Sequence, residues 1–164
     1  MSDLAFPLLG TLTDVAGSGH PVYHDGVAWH PLGEIQVAYA QKLTDVVCAA
    51  GNTVTVVSVD VGFTDVVKTA QLTVAMPFVD LTATSGGDAT FTATMGAQST
   101  KFGYIHSDRA FGWPVVLRTR MPIPGPGSYT VTVEVTSGTG GVTVHASDDS
   151  GPYAPVSLGV AVVA

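Results

Sequence analysis

The stretch Ser128–Val135, SYTVTVEV, alternates apolar and polar side chains along its whole length. Tyr129 and three valines occupy one set of positions, and two threonines and Glu134 occupy the other. Successive side chains of a β-strand point to opposite faces, so this pattern predicts a strand with one buried face. Valine and threonine also favour the pleated strand, because both are stiff at χ1.

The same alternation recurs along the chain, in residues 72–76, 89–95, 115–121 and 142–146. Between Val56 and Val57 the apolar phase slips from one face to the other, and a β-bulge there would restore the register. Glu and Lys, which are common on exposed helix faces, are rare, and no window shows a period of 3.6. The sequence therefore predicts an all-β protein with very little helix.

Clusters of turn-forming residues separate these runs, at 51–52, 85–88, 124–127, 137–141 and 148–152. Many short strands at such spacing indicate an antiparallel β-sandwich or jelly roll, with about nine or ten strands between Ile35 and Val163. Pro77 interrupts one long apolar run, so it is expected to divide that run into two strands or to mark a sheet edge.

Residues 1–32 differ from the rest because they are rich in Pro and Gly and show no sustained alternation. We predict an extended N-terminal arm at 1–32 and a β-sandwich domain at 33–164. An apolar arm without a core of its own needs its own sandwich, a sister subunit or a larger assembly to lie against. The side chains expected to dock are Phe6, Leu8, Leu9, Leu12, Tyr23 and Trp29.

Composition excludes several classes of function. The 164 residues suit one domain, or one domain plus an arm, and the net charge is −7 with only 12% charged residues. The six basic residues are too few and too scattered for a nucleic-acid interface, and no apolar run is long enough for a transmembrane helix. Met1-Ser2-Asp3 carries an acid where a secretion signal needs a cation, so we expect a soluble protein inside the cell.

Such sparse charge suggests a surface partly covered by neighbouring molecules. The alternative is an ordinary β domain with a threonine-rich exterior. Cys48 is the sole cysteine, which excludes an internal disulfide, and we expect it to be a small buried hydrophobic residue.

Histidines provide the nearest approach to a reactive site. His20, His24 and His30 have loosely ligand-like spacing, but no cysteine or acidic ligand set accompanies them. Two histidines with neighbouring aspartates resemble base–orienter pairs: His106 with Asp108, and His145 with Asp148 and Asp149. Such neighbours are common at strand ends without catalysis, so we predict no enzyme activity, no metal and no cofactor.

The segment 98–114 is aromatic and loop-like rather than a plain strand. Tyr104, Arg109 and Trp113 form a candidate contact loop within it. Exposed aromatic side chains there could stack against sugars. They could equally cover the end of the core or form a subunit interface, where Tyr, Trp and Arg are enriched.

The element Y-x-D-G-x-A-W, from Tyr23 to Trp29, resembles a short turn in tail, fibre and decoration proteins of tailed bacteriophages. Asp25-Gly26 suits a type I′ hairpin turn, across which Tyr23 and Trp29 would meet. Residues 34–41, 127–133, 138–144 and 154–160 are similar to the β domain of small virion structural proteins from phages of actinobacteria.

The resemblance implies a virion surface component, often trimeric, with a jelly-roll or tumour-necrosis-factor-like fold and neither enzyme activity nor a cofactor. We therefore expect a bacteriophage capsid decoration or head-fibre protein, localised in the virion after assembly in the host cytoplasm. Its partners would be the major capsid protein and two further copies of itself in a homotrimer, with no nucleic acid or membrane. Alternatives are a minor tail protein on the tail tube or baseplate, or a host-surface or glycan-binding module of the tail.

Overall fold

A computed structural model of the chain describes residues 22–24, 29–31, 35–63, 69–82, 87–148 and 150–163. Every regular element in these ranges is a β-strand, and every pair of neighbouring strands is antiparallel. The predicted all-β, antiparallel class is confirmed.

A short hairpin, β1 (Val22–His24) and β2 (Trp29–Pro31), precedes the sandwich. The sandwich itself contains ten strands, which agrees with the predicted number: β3 (Ile35–Lys42), β4 (Val46–Cys48), β5 (Thr53–Phe63), β6 (Thr69–Leu81), β7 (Gly87–Met95), β8 (Gln98–Ser107), β9 (Phe111–Pro122), β10 (Gly127–Ser137), β11 (Val142–His145) and β12 (Val156–Val163).

In two cases, two consecutive strands occupy the position of one long strand and are separated only by a short interruption. Strands β11 and β12 lie end to end along the same edge of β6, β11 beside residues 78–81 and β12 beside residues 69–75. Strands β3 and β4 lie end to end in the same way, along β12 and β11 respectively. The interruptions are residues 146–155 and 43–45, so each sheet has four strand positions.

With the interrupted strands joined, the connectivity is that of a jelly roll. One sheet has the order β3/β4, β11/β12, β6, β9, and the other has the order β5, β10, β7, β8. Numbering the eight positions along the chain gives 1-8-3-6 in the first sheet and 2-7-4-5 in the second. Two interlocked Greek keys produce this order. The predicted antiparallel β-sandwich is confirmed, and its connectivity is that of a jelly roll.

The inward-facing residues of the two sheets form one hydrophobic core. Alternate residues are buried along β7, along β6 on either side of residues 77–78, and along β10 from Val131 onwards, as the sequence pattern predicted. The largest fully buried side chains include Phe91, Leu72, Met76 and Met95. Burial at about 25 cal/mol per Å² of apolar surface makes this core the main stabilising contribution.

The predicted bulge in β5 is present. Val133 pairs with Val57 and Glu134 pairs with Thr55, so Val56 is the extra residue, and Val56 and Val57 are both buried.

The prediction for Pro77 was wrong, because β6 runs without a break through the interior of its sheet. The register with β9 shifts between Met76 and Val79, and β11/β12 is interrupted on the opposite edge. Pro77 has no N–H to donate, and it lies where neither neighbouring strand forms a regular ladder with it.

The expectation of a loop-like segment at 98–114 was also wrong. Residues 98–107 form β8, which pairs with β7, and β9 begins at residue 111. The register shifts between Phe91 and Thr92 of β7, which leaves Phe102 as the extra residue of β8. Gly103 allows a close approach here, because a Cβ atom on it would lie 2.5 Å from the Leu117 side chain.

The hairpin β1–β2 confirms two paired segments around residues 25–28, although the predicted cross-strand pair was wrong. Tyr23 pairs with His30 and His24 pairs with Trp29, so Tyr23 and Trp29 are not opposite each other. Residues 1–21 and the connection 25–28, with the predicted type I′ turn, lie outside the described residues.

Candidate interaction surfaces

The outer face of the β5–β10–β7–β8 sheet is covered with threonine. Threonines alternate along β7 and β10 and face one another across the two strands, with Thr132 beside Thr94 and Thr136 beside Thr90. The hydroxyl of Thr130 donates to Asp60 at 2.6 Å, and the hydroxyls of Thr53 and Thr136 lie 2.8 Å apart. We refer to this surface as the threonine face, and short hydroxyl side chains make it well suited to contact with water.

The outer face of the other sheet is different, and we refer to it as the apolar-edged face. Of the exposed large hydrophobic side chains among the described residues, all but Tyr104 lie on this sheet or on its 43–45 interruption. Its middle is built from small side chains of β6 and β12. The register places Tyr39, Gly159, Thr73 and Arg118 in one row across the four strands.

One edge of this face carries a column of exposed apolar residues. These residues, which we call the apolar column, are Val37 (37% exposed), Tyr39 (51%), Leu43 (48%) and Val47 (69%). They follow one another along the interrupted strand β3/β4. At the opposite edge, on β9, the exposed apolar residue is Val116 (64%).

The two sides of the sandwich also differ in charge. Strands β8 and β9 and their connection carry four of the six basic residues, Lys101, Arg109, Arg118 and Arg120, against the one carboxylate of Asp108. All five side chains are exposed. The side formed by β3, β4 and β5 carries Lys42 against Asp45 and Asp60. One side is therefore basic, although the chain as a whole is acidic.

The sheet that carries the apolar-edged face has breaks in its backbone hydrogen-bond ladder, and these breaks lie side by side, at one level, across its four strands. It contains the interruptions 43–45 and 146–155, and between β6 and β9 it contains the register shift at Pro77. Side chains stabilise this level where the backbone ladder is broken. The ring of His145 stacks on Tyr153 with centroids 4.8 Å apart, and Phe78 lies 5.5 Å from Tyr153.

Asp45 connects the two interruptions. Its Oδ2 lies 2.9 Å from Nδ1 of His145, and its Oδ1 accepts the backbone N–H of Ala146 at 2.9 Å. Because a carboxylate only accepts hydrogen bonds, Nδ1 is the donor in this pair. The Ala146 N–H lowers the pKa of the Asp45 carboxyl below its usual value of 3.8; partial burial opposes this lowering and His145 adds to it.

His145 does not pair with Asp148, one of the two neighbouring aspartates considered as its partners. His145 pairs with Asp45, which is 100 residues away along the chain. Asp148 instead accepts hydrogen bonds from Ser150, and Asp149 lies outside the described residues. The nearby hydroxyl of Ser147 donates to the Tyr153 carbonyl, so it is not poised beside the imidazole as a nucleophile. The Asp45–His145 pair thus connects two chain segments, and among the described residues no serine or cysteine side chain forms a hydrogen bond with the imidazole to complete a catalytic triad.

The pairing of His106 with Asp108 is present, with 3.1 Å between Nε2 and Oδ1, and both side chains are exposed. The three candidate contact residues lie on three different elements. Tyr104 is 65% exposed and lies on the threonine face, beside Thr90. Arg109 lies in the β8–β9 connection, and Trp113 packs against the core from β9.

No cluster of three metal-ligating side chains occurs among the described residues. His20 lies outside them, and the structure describes only the backbone of His24 and His30.

Cys48 is fully buried, as predicted, and its Sγ lies 3.2 Å from the Asn52 carbonyl oxygen. Within the same described ranges, no helix has the length and apolar character needed to cross a membrane.

The arm residues Phe6, Leu8, Leu9 and Leu12 lie outside the described part of the chain, as do the side chains of Tyr23 and Trp29. Sequence comparison adds no relative, because no protein-family model and no curated protein matches the chain.

Proposed function

We propose that the protein is a non-enzymatic structural component of a tailed-bacteriophage virion, and specifically a capsid decoration or head-fibre protein. The observation that carries the proposal is the eight-position jelly-roll order, because jelly rolls recur in viral capsid and lectin domains. A fold hosts many functions, so the surfaces must supply the rest of the argument. A hydroxyl-covered face opposite a face with apolar edges suits a molecule that turns one side to water and the other to protein.

Attachment in this proposal depends on the N-terminal arm. Docking of Phe6, Leu8, Leu9 and Leu12 against the major capsid protein would bury apolar surface at about 25 cal/mol per Å², less the cost of ordering the arm. Association of several copies into one unit, such as a homotrimer, would raise the apparent affinity without new contacts in each copy.

The test uses purified particles of the phage that encodes the chain, with its copy number measured by quantitative mass spectrometry. The number of copies of the chain in each particle is expected to equal the number of equivalent positions that the capsid symmetry provides. Replacing Phe6, Leu8, Leu9 and Leu12 by serine should remove it from the particle. The matched control replaces Thr11 and Thr13 by serine and should leave occupancy unchanged. A chain that does not sediment with particles at all contradicts the proposal.

The position of the chain in the particle distinguishes a capsid decoration protein from the main alternative, a minor tail protein. Immunogold labelling is expected on the capsid, whereas label on the tail tube or baseplate would support the tail assignment. Full occupancy after the serine substitutions would show that the arm is not the anchor, and would leave the virion assignment intact.

One observation favours a second candidate, a glycan-binding module. Tyr104 is exposed on the threonine face, and His106 with its partner Asp108 follows two positions along the same strand. An aromatic ring beside polar groups is a common way to bind a sugar. A glycan array tests this candidate: binding that Tyr104→Ala abolishes would support it. Trp113→Ala is the comparison, and it should have less effect on binding because Trp113 packs against the core.

A further inference from the structure

The apolar column carries fewer of the features that prevent a strand from associating with another chain than the β8 and β9 edges do. Strand β9 has Pro114 near one end and Pro122 at the other, with Arg118 and Arg120 between them. Strand β8 contains Lys101 and the extra residue Phe102. Proline, charge and bulges on edge strands are the usual protection against association. Strand β3 has one bulge, because Val160 pairs with Ala38 and Ala161 pairs with Gln36, which leaves Val37 as the extra residue. The apolar column nevertheless has no proline and only one charge within β3, Lys42, and it exposes four hydrophobic residues.

We propose that copies of this chain associate side to side, with the apolar column of one copy packed against Val116 and Arg118 of the next. The copies close into a ring in which the apolar-edged face turns towards the symmetry axis. This inference deepens the proposed function, because it rests on self-association and names the surface that produces it.

The partner of the apolar column is a second copy of the chain, because each copy carries both surfaces that the contact needs. The apolar column lies at one edge of the face and Val116 lies at the other edge of the same face. A two-fold contact between apolar columns would leave Val116 exposed, and a two-fold contact between β9 strands would leave the column exposed. A head-to-tail contact covers both sets in every copy, and three is the smallest number of copies that such a contact can close.

Charge favours the same arrangement. The β8–β9 side has four cations against one carboxylate, and the β3–β5 side has one cation against two carboxylates. Two basic sides would repel each other, whereas unlike sides attract. Arg118 and Tyr39 lie in the same row at opposite edges of the face. The proposed contact therefore brings the guanidinium of Arg118 in one copy to the ring of Tyr39 in the next, where a cation–π interaction can form.

The size and shape of the surface fit this contact. The exposed parts of the apolar column amount to on the order of 400 Å², about half of what one partner contributes to a standard interface. Polar residues around the column supply the remaining area, as in the rim of most interfaces. In the middle of the face, Gly159, Thr73 and Ala75 are small, which allows several copies to approach a common axis closely.

The experiment measures the mass of the full chain in solution by light scattering during gel filtration, over a range of concentrations. The expected mass is that of three chains. A monomer at the highest soluble concentration, or a dimer, would overturn the ring.

Two single variants identify the surfaces. Val47→Glu alters the column and Val116→Glu alters the opposite edge, and each is expected to give a monomer. An equimolar mixture of the two should form a dimer, because each variant retains the half of the contact that the other lacks. If Val116→Glu keeps the mass of the parent, the head-to-tail contact is wrong.

A matched pair of tyrosines controls for a general effect of added charge. Tyr39→Glu should also give a monomer, and it provides a second column variant if Val47→Glu fails to fold. Tyr104→Glu, at a similarly exposed strand position on the threonine face, should retain three chains. Loss of the oligomer in both tyrosine variants would overturn the assignment of the surface. Folding of each variant is checked by thermal unfolding. A monomeric parent that is still found in particles would refute the ring while leaving the proposed function intact.

Discussion

Replacing Gly112 by alanine tests whether the aromatic cluster stabilises the irregular level of the apolar-edged sheet. A Cβ atom at Gly112 would lie 2.4 Å from two ring atoms of Phe78, far inside van der Waals contact. The ring cannot move away freely, because it stacks on Tyr153 and lies 5.8 Å from the ring of His145. The substitution therefore forces the cluster apart or strains it.

The expected cost follows from two opposing contributions. Overpacking at a well-packed site costs about 1–3 kcal/mol, whereas replacing glycine by alanine gains about 0.4–1 kcal/mol by restricting the unfolded chain. The net destabilisation should be about 1–2 kcal/mol. For a domain of this size, that corresponds to a fall in Tm of about 3–6 °C.

Thermal unfolding followed by circular dichroism measures the effect, with Gly62→Ala as the matched control. Gly62 is also in a strand, but a Cβ atom there would have no neighbour within 4 Å, so this variant should be unchanged or slightly more stable. In the background of Phe78→Leu, Gly112→Ala should cost much less, because the obstructing ring atoms are gone. Equal changes in Tm for both glycine variants, or the same cost with and without the Phe78 ring, would refute the reasoning.

Three further outcomes are expected. Asp45→Asn should reduce the free energy of unfolding at neutral pH by less than about 1 kcal/mol, because the carboxylate is nearly half exposed. Since the folded-state pKa of Asp45 lies below its usual value, its contribution is present above pH 3.8 and is lost as the pH falls below it. Urea unfolding of parent and variant should therefore converge in acid, and a constant difference across pH would argue against the carboxylate. Phe91→Ala should cost about 3–5 kcal/mol, because its ring is fully buried between the sheets, and a cost below about 1 kcal/mol would contradict the core assignment. The Cys48 thiol should resist a thiol reagent in the native protein and react fully after unfolding, and rapid reaction in the native protein would show that this region opens.

The strands that the sequence predicted well are those whose surroundings are regular. In β7 and β10 every second residue faces the core, so burial imposes a period of two that can be read from the order of residues alone. The bulge at Val56 was equally visible, because a single extra residue moves the whole apolar set to the other face. The all-β class and the prediction of an antiparallel β-sandwich follow from such local signals.

Strand β8 and the start of β9 were not predicted, because the features that disturb their alternation are themselves tertiary. Phe102 is an extra residue opposite β7, and Gly103 is small because Leu117 lies against it. Pro114 lies opposite the shifted register of β6. Each of these residues looks like a loop signal until the neighbouring strand is known.

Local sequence order determined which segments are extended and which of their faces is buried, because alternation depends only on neighbouring residues. Tertiary structure alone decided that Asp45 meets His145, that β3 joins β4 and β11 joins β12 as interrupted strands, and that exposed apolar residues collect at the two edges of one face. These contacts join residues far apart in the chain. They depend on how the strands wind into two sheets, which no short stretch of sequence specifies.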